Sequence, residues 1–241
     1  MHAAARQAVT GKSIDVVAQA AEGRRKKLLI ADMDSTIVTS ETLTDIARIA
    51  GKEDIIADIT DRAMRGELDF EGALTTRVAM LKGLGLDALE QAYSERITLN
   101  PGAKTLVETM KADGAETVLV SGGFTYFTSR VAAAAGFHTH RGNTLVDDGK
   151  ALTGEVGRPI LGREAKLSAL DEFAAAKGIG RDEVIALGDG ANDLAMIKAS
   201  GLGIAYHAKP VVAAEAHASI EHTDLRAALF FQGYEASEFL G

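Results

Sequence analysis

Three short apolar runs each break into a polar loop on their carboxyl side, and this recurrence limits the fold more than any other feature. Leu28–Ala31 runs into Asp32-Met33-Asp34-Ser35-Thr36, Thr117–Val120 into Ser121-Gly122-Gly123, and Glu183–Leu187 into Gly188-Asp189-Gly190. Mostly apolar runs without alternating polarity are the pattern of strands buried on both faces, as in a parallel sheet. Helical periodicity fills the gaps, over Ala103–Lys111, Tyr126–Ala135, Ala165–Ala176 and Asn192–Lys198, and short strands follow near Leu202–Ala205 and Ala218–Glu221. This alternation predicts an α/β fold, a Rossmann-like and mostly parallel sheet with helices on both faces. Ligands on such sheets bind outside the carboxyl ends of the strands, the end at which all three polar loops emerge.

One stretch departs from the rhythm. From Glu41 to about Leu99 the apolar positions keep helical spacing with no strand signal, and Gly51, Gly66, Gly83 and Gly85 punctuate them. The expected division is therefore an N-terminal extension (1–26), an α/β core (27–40 and 101–241) and a helical cap inserted after the first strand (41–100). Within the extension, weak helical periodicity runs from Ile14 to Ala21. A hairpin is expected at Thr144–Val146 and Ala151–Val156, turning through Asp147-Asp148-Gly149-Lys150.

The chain has 241 residues, 46% hydrophobic and 25% charged, an ordinary globular mix. No run approaches the length of a membrane helix, and the first residues lack the apolar centre of a secretory signal, so a cytoplasmic protein is expected. The absence of cysteine rules out disulfides, thiolate zinc sites and thiol catalysis. A net charge of −8 opposes binding to nucleic acid. The one dense basic run, Arg24-Arg25-Lys26-Lys27, reads as a solvated lead-in to the first strand. A small anionic ligand remains compatible with the charge, because a bound cation can invert the sign of one pocket.

Taken singly, the loops have plain structural readings. Asp32 and Asp34 serve equally as turn or cap residues, Ser121-Gly122-Gly123 as a simple strand-to-helix turn, and Lys166 as a surface lysine. Together they read as chemistry. Carboxylates at two strand ends, with glycines that admit a close ligand, suit a hard oxygen-seeking cation, for which Mg²⁺ is the usual choice beside phosphates. A hydroxyl and free N–H groups at a helix start suit an anion.

The ordered set Asp32-Met33-Asp34-Ser35-Thr36, Ser121-Gly122-Gly123, Lys166 and Gly188-Asp189-Gly190-Ala191-Asn192-Asp193 resembles the haloacid dehalogenase-like phosphohydrolases, and within them the branch that acts on phosphoserine. The similarity extends from about Lys27 to Leu229. It implies a Mg²⁺-dependent phosphoric monoester hydrolase working through a phosphoaspartyl group on Asp32, at the final step of serine biosynthesis. Asp34 would be the acid and base, and Ser121, Gly122 and Lys166 would hold the phosphate oxygens. The cation would sit among Asp32, the Asp34 backbone carbonyl and Asp189. Asn192 would orient the phosphate side, and Asp193 would support Lys166 or the metal's waters. Glu41 is placed by the resemblance to meet the substrate ammonium and Arg77 its carboxylate, with Met64 and Phe70 as apolar residues closing over it. Without the resemblance these four read as a helix N-terminal acid, a solvated helix residue and core residues.

Three other readings stay open at this level: a phosphatase or phosphotransferase for another small monoester, passing phosphate to an alcohol such as homoserine; a dehalogenase; and a non-catalytic phospho-ligand module. Residues 1–26 are too few for the amino-acid-binding regulatory domain of some family members, so feedback control through one is not expected. The six histidines show no ligand spacing tied to the acidic loops, and the segment Phe230-Phe231-Gln232-Gly233-Tyr234 fits packing or partner contact equally. Oligomeric state is not legible.

Overall fold

The computed structural model describes residues 8–9, 11–64, 67–162 and 164–241, with the side chains of residues 61 and 64 outside that description. Six strands form one sheet: β1 (Leu28–Ala31), β2 (Glu116–Phe124), β3 (Thr139–Asn143), β6 (Val184–Gly188), β7 (Leu202–Tyr206) and β8 (Ala218–Ile220). Their order is β3-β2-β1-β6-β7-β8, and every neighbouring pair is parallel. The chain steps outward from β1 to β3, then crosses back to β6 and steps the other way. The order reverses between β1 and β6, which is where a ligand crevice opens in such a sheet. Register aligns Ala31 with Leu119 on one side and Leu187 on the other, so the three polar loops start level.

Both faces of β1 are covered, as its continuous apolar sequence requires. Leu29 and Ala31 join a cluster with Leu106 and Phe127, and Leu28 and Ile30 join one with Ala169, Leu170 and Met196. Among the described residues, four α-helices lie between β1 and Pro101, α1 (Thr42–Ile49), α2 (Glu53–Met64), α3 (Phe70–Ala79) and α4 (Leu86–Arg96). Ile46, Leu74, Val78 and Leu81 bury the apolar stripe read from their spacing. The remaining helices are α5 (Ala103–Ala112), α6 (Thr125–Ala135), α7 (Glu164–Lys177), α8 (Leu194–Ala199), α9 (Pro210–Glu215) and α10 (Ala227–Phe231). Among the described residues no helix is long and apolar enough to cross a membrane.

The hairpin forms as β4 (Leu145–Asp147) and β5 (Leu152–Val156), but it does not stand alone. Gly83 N–H donates to the Leu152 carbonyl at 2.8 Å, Leu152 N–H to Leu84 at 2.9 Å and Leu86 N–H to Lys150 at 3.0 Å, which zips the hairpin onto the α3–α4 connection.

Two expectations need correction. Residues 14–20 carry no helix. Asp15 instead accepts the backbone N–H groups of Glu221, His222 and Thr223, with the shortest of these bonds at 2.8 Å, and Val17 packs on the core, so tertiary contacts override a weak local preference. Lys26 is not solvated either. It is buried, and its ammonium donates to the Gly23 and Asp182 carbonyls at 2.9 and 2.7 Å. Of the C-terminal aromatic segment, Phe231, Gln232 and Tyr234 are buried and Phe230 is exposed.

Candidate active site

The three loops converge on one crevice. Asp32 follows β1 directly and its N–H donates to the Leu187 carbonyl of β6 at 3.0 Å, which fixes where the side chain starts. Lys166, in the first turn of α7, is buried and its ammonium lies 2.7 Å from Asp32 Oδ1, and it also donates to Asp193 Oδ1. Asp193 Oδ2 accepts the Gly190 N–H at 3.0 Å. Oxygens of Asp32, Asp189 and Asp193 lie within 4.8 Å of one another. Gly188 makes this packing feasible, since a Cβ there would stand 2.4 Å from Asp193 Cβ. Thr36 Oγ1 reaches Asp189 Oδ1 at 3.4 Å.

Asp34 points elsewhere. Its carboxylate accepts the Thr42 N–H at 3.1 Å and the Thr42 hydroxyl at 3.3 Å, at the start of α1. Ser35, the residue after Asp34, takes a left-handed backbone, φ 54°, within the irregular turn that follows Asp32. Gly123 closes the approach from β2, where a Cβ would come 3.0 Å from Ser121 Oγ and 3.1 Å from Asp34 Oδ2. Ser121 is buried and its Oγ accepts the Gly123 N–H at 2.8 Å.

A cavity of about 890 Å³ joins these groups to the helices between β1 and β2; Asp32, Asp34, Ser121, Asp189 and Asn192 line one part, Glu41, Phe70 and Arg77 another. Glu41 accepts the Ser35 hydroxyl at 2.7 Å. Arg77 uses Nε on the Ala73 carbonyl and Nη1 on Thr60 Oγ1, at 3.1 and 3.4 Å, and among the described residues it has no ion pair within 4 Å. Phe70 leans over the Ser121-Gly122-Gly123 segment, its Cζ 3.4 Å from where a Cβ of Gly122 would be. The side chain of Met64 lies outside the described residues. All other residues expected at the site are brought to this one cavity or its floor. Thr42 and Lys209, which also line it, and Asn143 behind it were not expected. Lys209 follows an unremarkable apolar strand, and nothing in its own sequence signals a site.

The electrostatics describe a site short of positive charge. Burial, then the neighbouring Asp193, pushes the Asp32 carboxyl well above the usual range, against the pull of Lys166. Burial and Asp193 likewise raise Asp189 to about 6, and burial and Glu41 raise Asp34 to about 7. Burial disfavours the Lys166 ammonium, but Asp32 and Asp193 outweigh it and hold the lysine above its ordinary value. For Arg77 burial wins, and its pKa falls despite Glu41. Oxygen-only donors around a concentration of carboxylates fit a hard divalent cation. A carboxyl near 7, beside a nucleophile-sized carboxylate, can give and take a proton at neutral pH.

Comparison with known proteins agrees with this geometry. The family model for haloacid dehalogenase-like hydrolases matches residues 29–198. A phosphoserine phosphatase of Streptomyces coelicolor is 42% identical over 96% of this chain and 56% of its own length. One of Streptococcus thermophilus is 46% identical over 83% of this chain and 93% of its own. A solved structure of a phosphoaspartyl-intermediate analogue of phosphoserine phosphatase superposes with a TM-score of 0.78 at 41% identity, covering 86% of this chain and 99% of that one. The chain thus spans little more than half of the first relative and nearly all of the other two. With its order of strands, its acidic crevice and these matches, the chain belongs to the haloacid dehalogenase-like hydrolase family.

Proposed function

We propose that this chain hydrolyses O-phospho-L-serine to L-serine and phosphate through a phosphoaspartyl group on Asp32, as a cytoplasmic enzyme at the last step of serine biosynthesis. The observation that carries the reading is one cavity holding both a phosphate-type site and an amino-acid-type site. Asp32, Lys166 and Ser121 stand at the sheet, and Glu41 stands toward the helices with Arg77, which has no ion pair among the described residues. The names of the relatives and a substrate-bound phosphoserine phosphatase of the same fold, 39% identical with a TM-score of 0.79, support that substrate. Residues 41–100 then act as a cap over a core of 27–40 and 101–241, with Phe70 and Met64 as apolar closure and 1–26 as an extension.

In this reading an Asp32 oxygen attacks phosphorus in line as the ester bond to serine breaks, and Asp34 protonates the departing oxygen. Water then attacks the same phosphorus, Asp34 takes its proton, and the bond to Asp32 breaks to release phosphate. Ser121, the Gly122 N–H and Lys166 hold the equatorial oxygens while charge redistributes. Asp193 keeps Lys166 in place, and Asn192 borders the phosphate side. Asp32, Asp189 and the Asp34 backbone carbonyl would hold Mg²⁺, with Asp193 adjacent, and bound Mg²⁺ supplies the charge that offsets repulsion between anionic nucleophile and anionic phosphate. The Thr42 N–H and hydroxyl hold the Asp34 carboxylate in place, and the Asp34 backbone carbonyl takes no part in those bonds.

A substrate panel with Mg²⁺ and with chelator tests the reading. Phosphoserine should exceed phosphate monoesters lacking the amino-acid groups. Chelation should lower the rate about 10³-fold, with recovery on adding Mg²⁺. Added homoserine should not divert phosphate from water. Turnover that survives chelation, or an aryl phosphate outrunning phosphoserine, would refute the assignment.

A further inference from the structure

Asn143 ends β3, is 1% exposed, and touches none of the groups given roles above except through the backbone. Its Nδ2 donates to the Gly122 carbonyl at 2.8 Å, and its Oδ1 accepts the Leu161 N–H at 2.7 Å. These two bonds of opposite polarity fix which way the amide faces. The Gly122 carbonyl and the Gly123 N–H are opposite ends of one planar peptide unit, so holding the oxygen sets the direction of the N–H. That N–H is the group that occupies Ser121 Oγ at 2.8 Å.

The arrangement sits where regular pairing fails. The β2–β3 register shifts between Val120 and Phe124, and over that interval the Asn143 side chain supplies a hydrogen bond to Gly122. β3 is pressed closely against the loop here, since a Cβ on Gly142 would lie 3.1 Å from the Gly123 carbonyl oxygen. A serine hydroxyl has one hydrogen to give. With the Gly123 N–H as its fixed donor, Ser121 keeps that hydrogen for the cavity.

We propose that Asn143 is a positioning residue for phosphoryl transfer. It locks the Gly122–Gly123 peptide so that the Ser121 hydroxyl donates to the transferring phosphate, and through Leu161 it ties this loop to the segment leading into α7 and Lys166. The inference rests on the phosphatase reading of the cavity.

The test is a double-mutant cycle of Asn143→Ala and Ser121→Ala in the full chain with Mg²⁺, with kcat and KM read separately and thermal melting alongside. Asn143→Ala should lower kcat about tenfold to hundredfold while KM moves less than about threefold. In the Ser121→Ala background the same change should cost less than about twofold. A kcat within about twofold of the parent, or losses that multiply, overturns the proposal. Should the alanine variant fail to fold, Asn143→Asp goes through the same cycle. It keeps the volume and the acceptor for Leu161 but sets a carboxylate against the Gly122 carbonyl, so the same coupled fall is expected and a parental kcat overturns the role. The cycle is run on p-nitrophenyl phosphate as well as phosphoserine. Failure of the parent on phosphoserine alone would then count against the substrate and leave the coupling measurable.

Discussion

Asparagine in place of Asp32 is expected to lower kcat by about 10⁴-fold or more while leaving the chain folded. The chemical half of the argument is that an amide oxygen is too weak a nucleophile to displace serine from phosphorus and cannot form an acyl phosphate. The structural half is that the substitution keeps the volume of a buried side chain at the start of the crevice. The amide Oδ1 can still accept from Lys166, and Asp193 still neutralises that ammonium, so no buried cation is stranded. The melting temperature should stay within about 5 °C of the parent. Initial rates together with a circular dichroism melt separate the two halves, and a folded variant with substantial activity would remove Asp32 from the chemistry.

The second large effect concerns selectivity. Arg77→Ala should lower kcat/KM for phosphoserine by about 10²–10³-fold and change it only a few-fold for p-nitrophenyl phosphate. The guanidinium is half-buried, its pKa is depressed by that burial, and its bonds go to a carbonyl and a hydroxyl. A desolvated cation held this way in a cavity gains more from a bidentate carboxylate than a hydrated one would. Aryl phosphate offers no carboxylate, so it has nothing to lose at this position. Equal losses on both substrates would make Arg77 a support for α3 against Thr60 of α2 and not a recognition residue.

The parallel sheet and the position of its polar loops were legible because burial on both faces leaves strands such as Leu28–Ala31 and Val184–Gly188 almost wholly apolar, and the breaks to Asp32 and Asp189 are then abrupt. The helices within residues 41–100 were legible from the spacing of Ile46, Leu74, Val78 and their neighbours. Other features left no such mark. β3 is Thr-His-Arg-Gly-Asn, a half-buried edge strand with neither alternation nor an apolar run, so nothing in its residue types points to Asn143. β2 continues through Gly122 and Gly123 to Phe124, where the residue types read as a turn. The joining of the hairpin to the α3–α4 connection is made by backbone groups, on which side-chain patterns are silent. The closeness of Asp193 to Asp32 and Asp189 depends on the tight packing that Gly188 allows, a three-dimensional fact that spacing along the chain does not encode.

Labelling the enzyme during turnover asks most directly whether phosphate passes through Asp32. Enzyme mixed with phosphoserine and Mg²⁺ is quenched in acid, reduced with borohydride and digested, which turns a phosphorylated aspartate into homoserine. Homoserine should appear at position 32 and nowhere else, and should be absent from enzyme quenched without substrate. An actively hydrolysing enzyme whose position 32 remains aspartate, with phosphate recovered on another side chain, would contradict the assignment of Asp32 and the chemistry built on it.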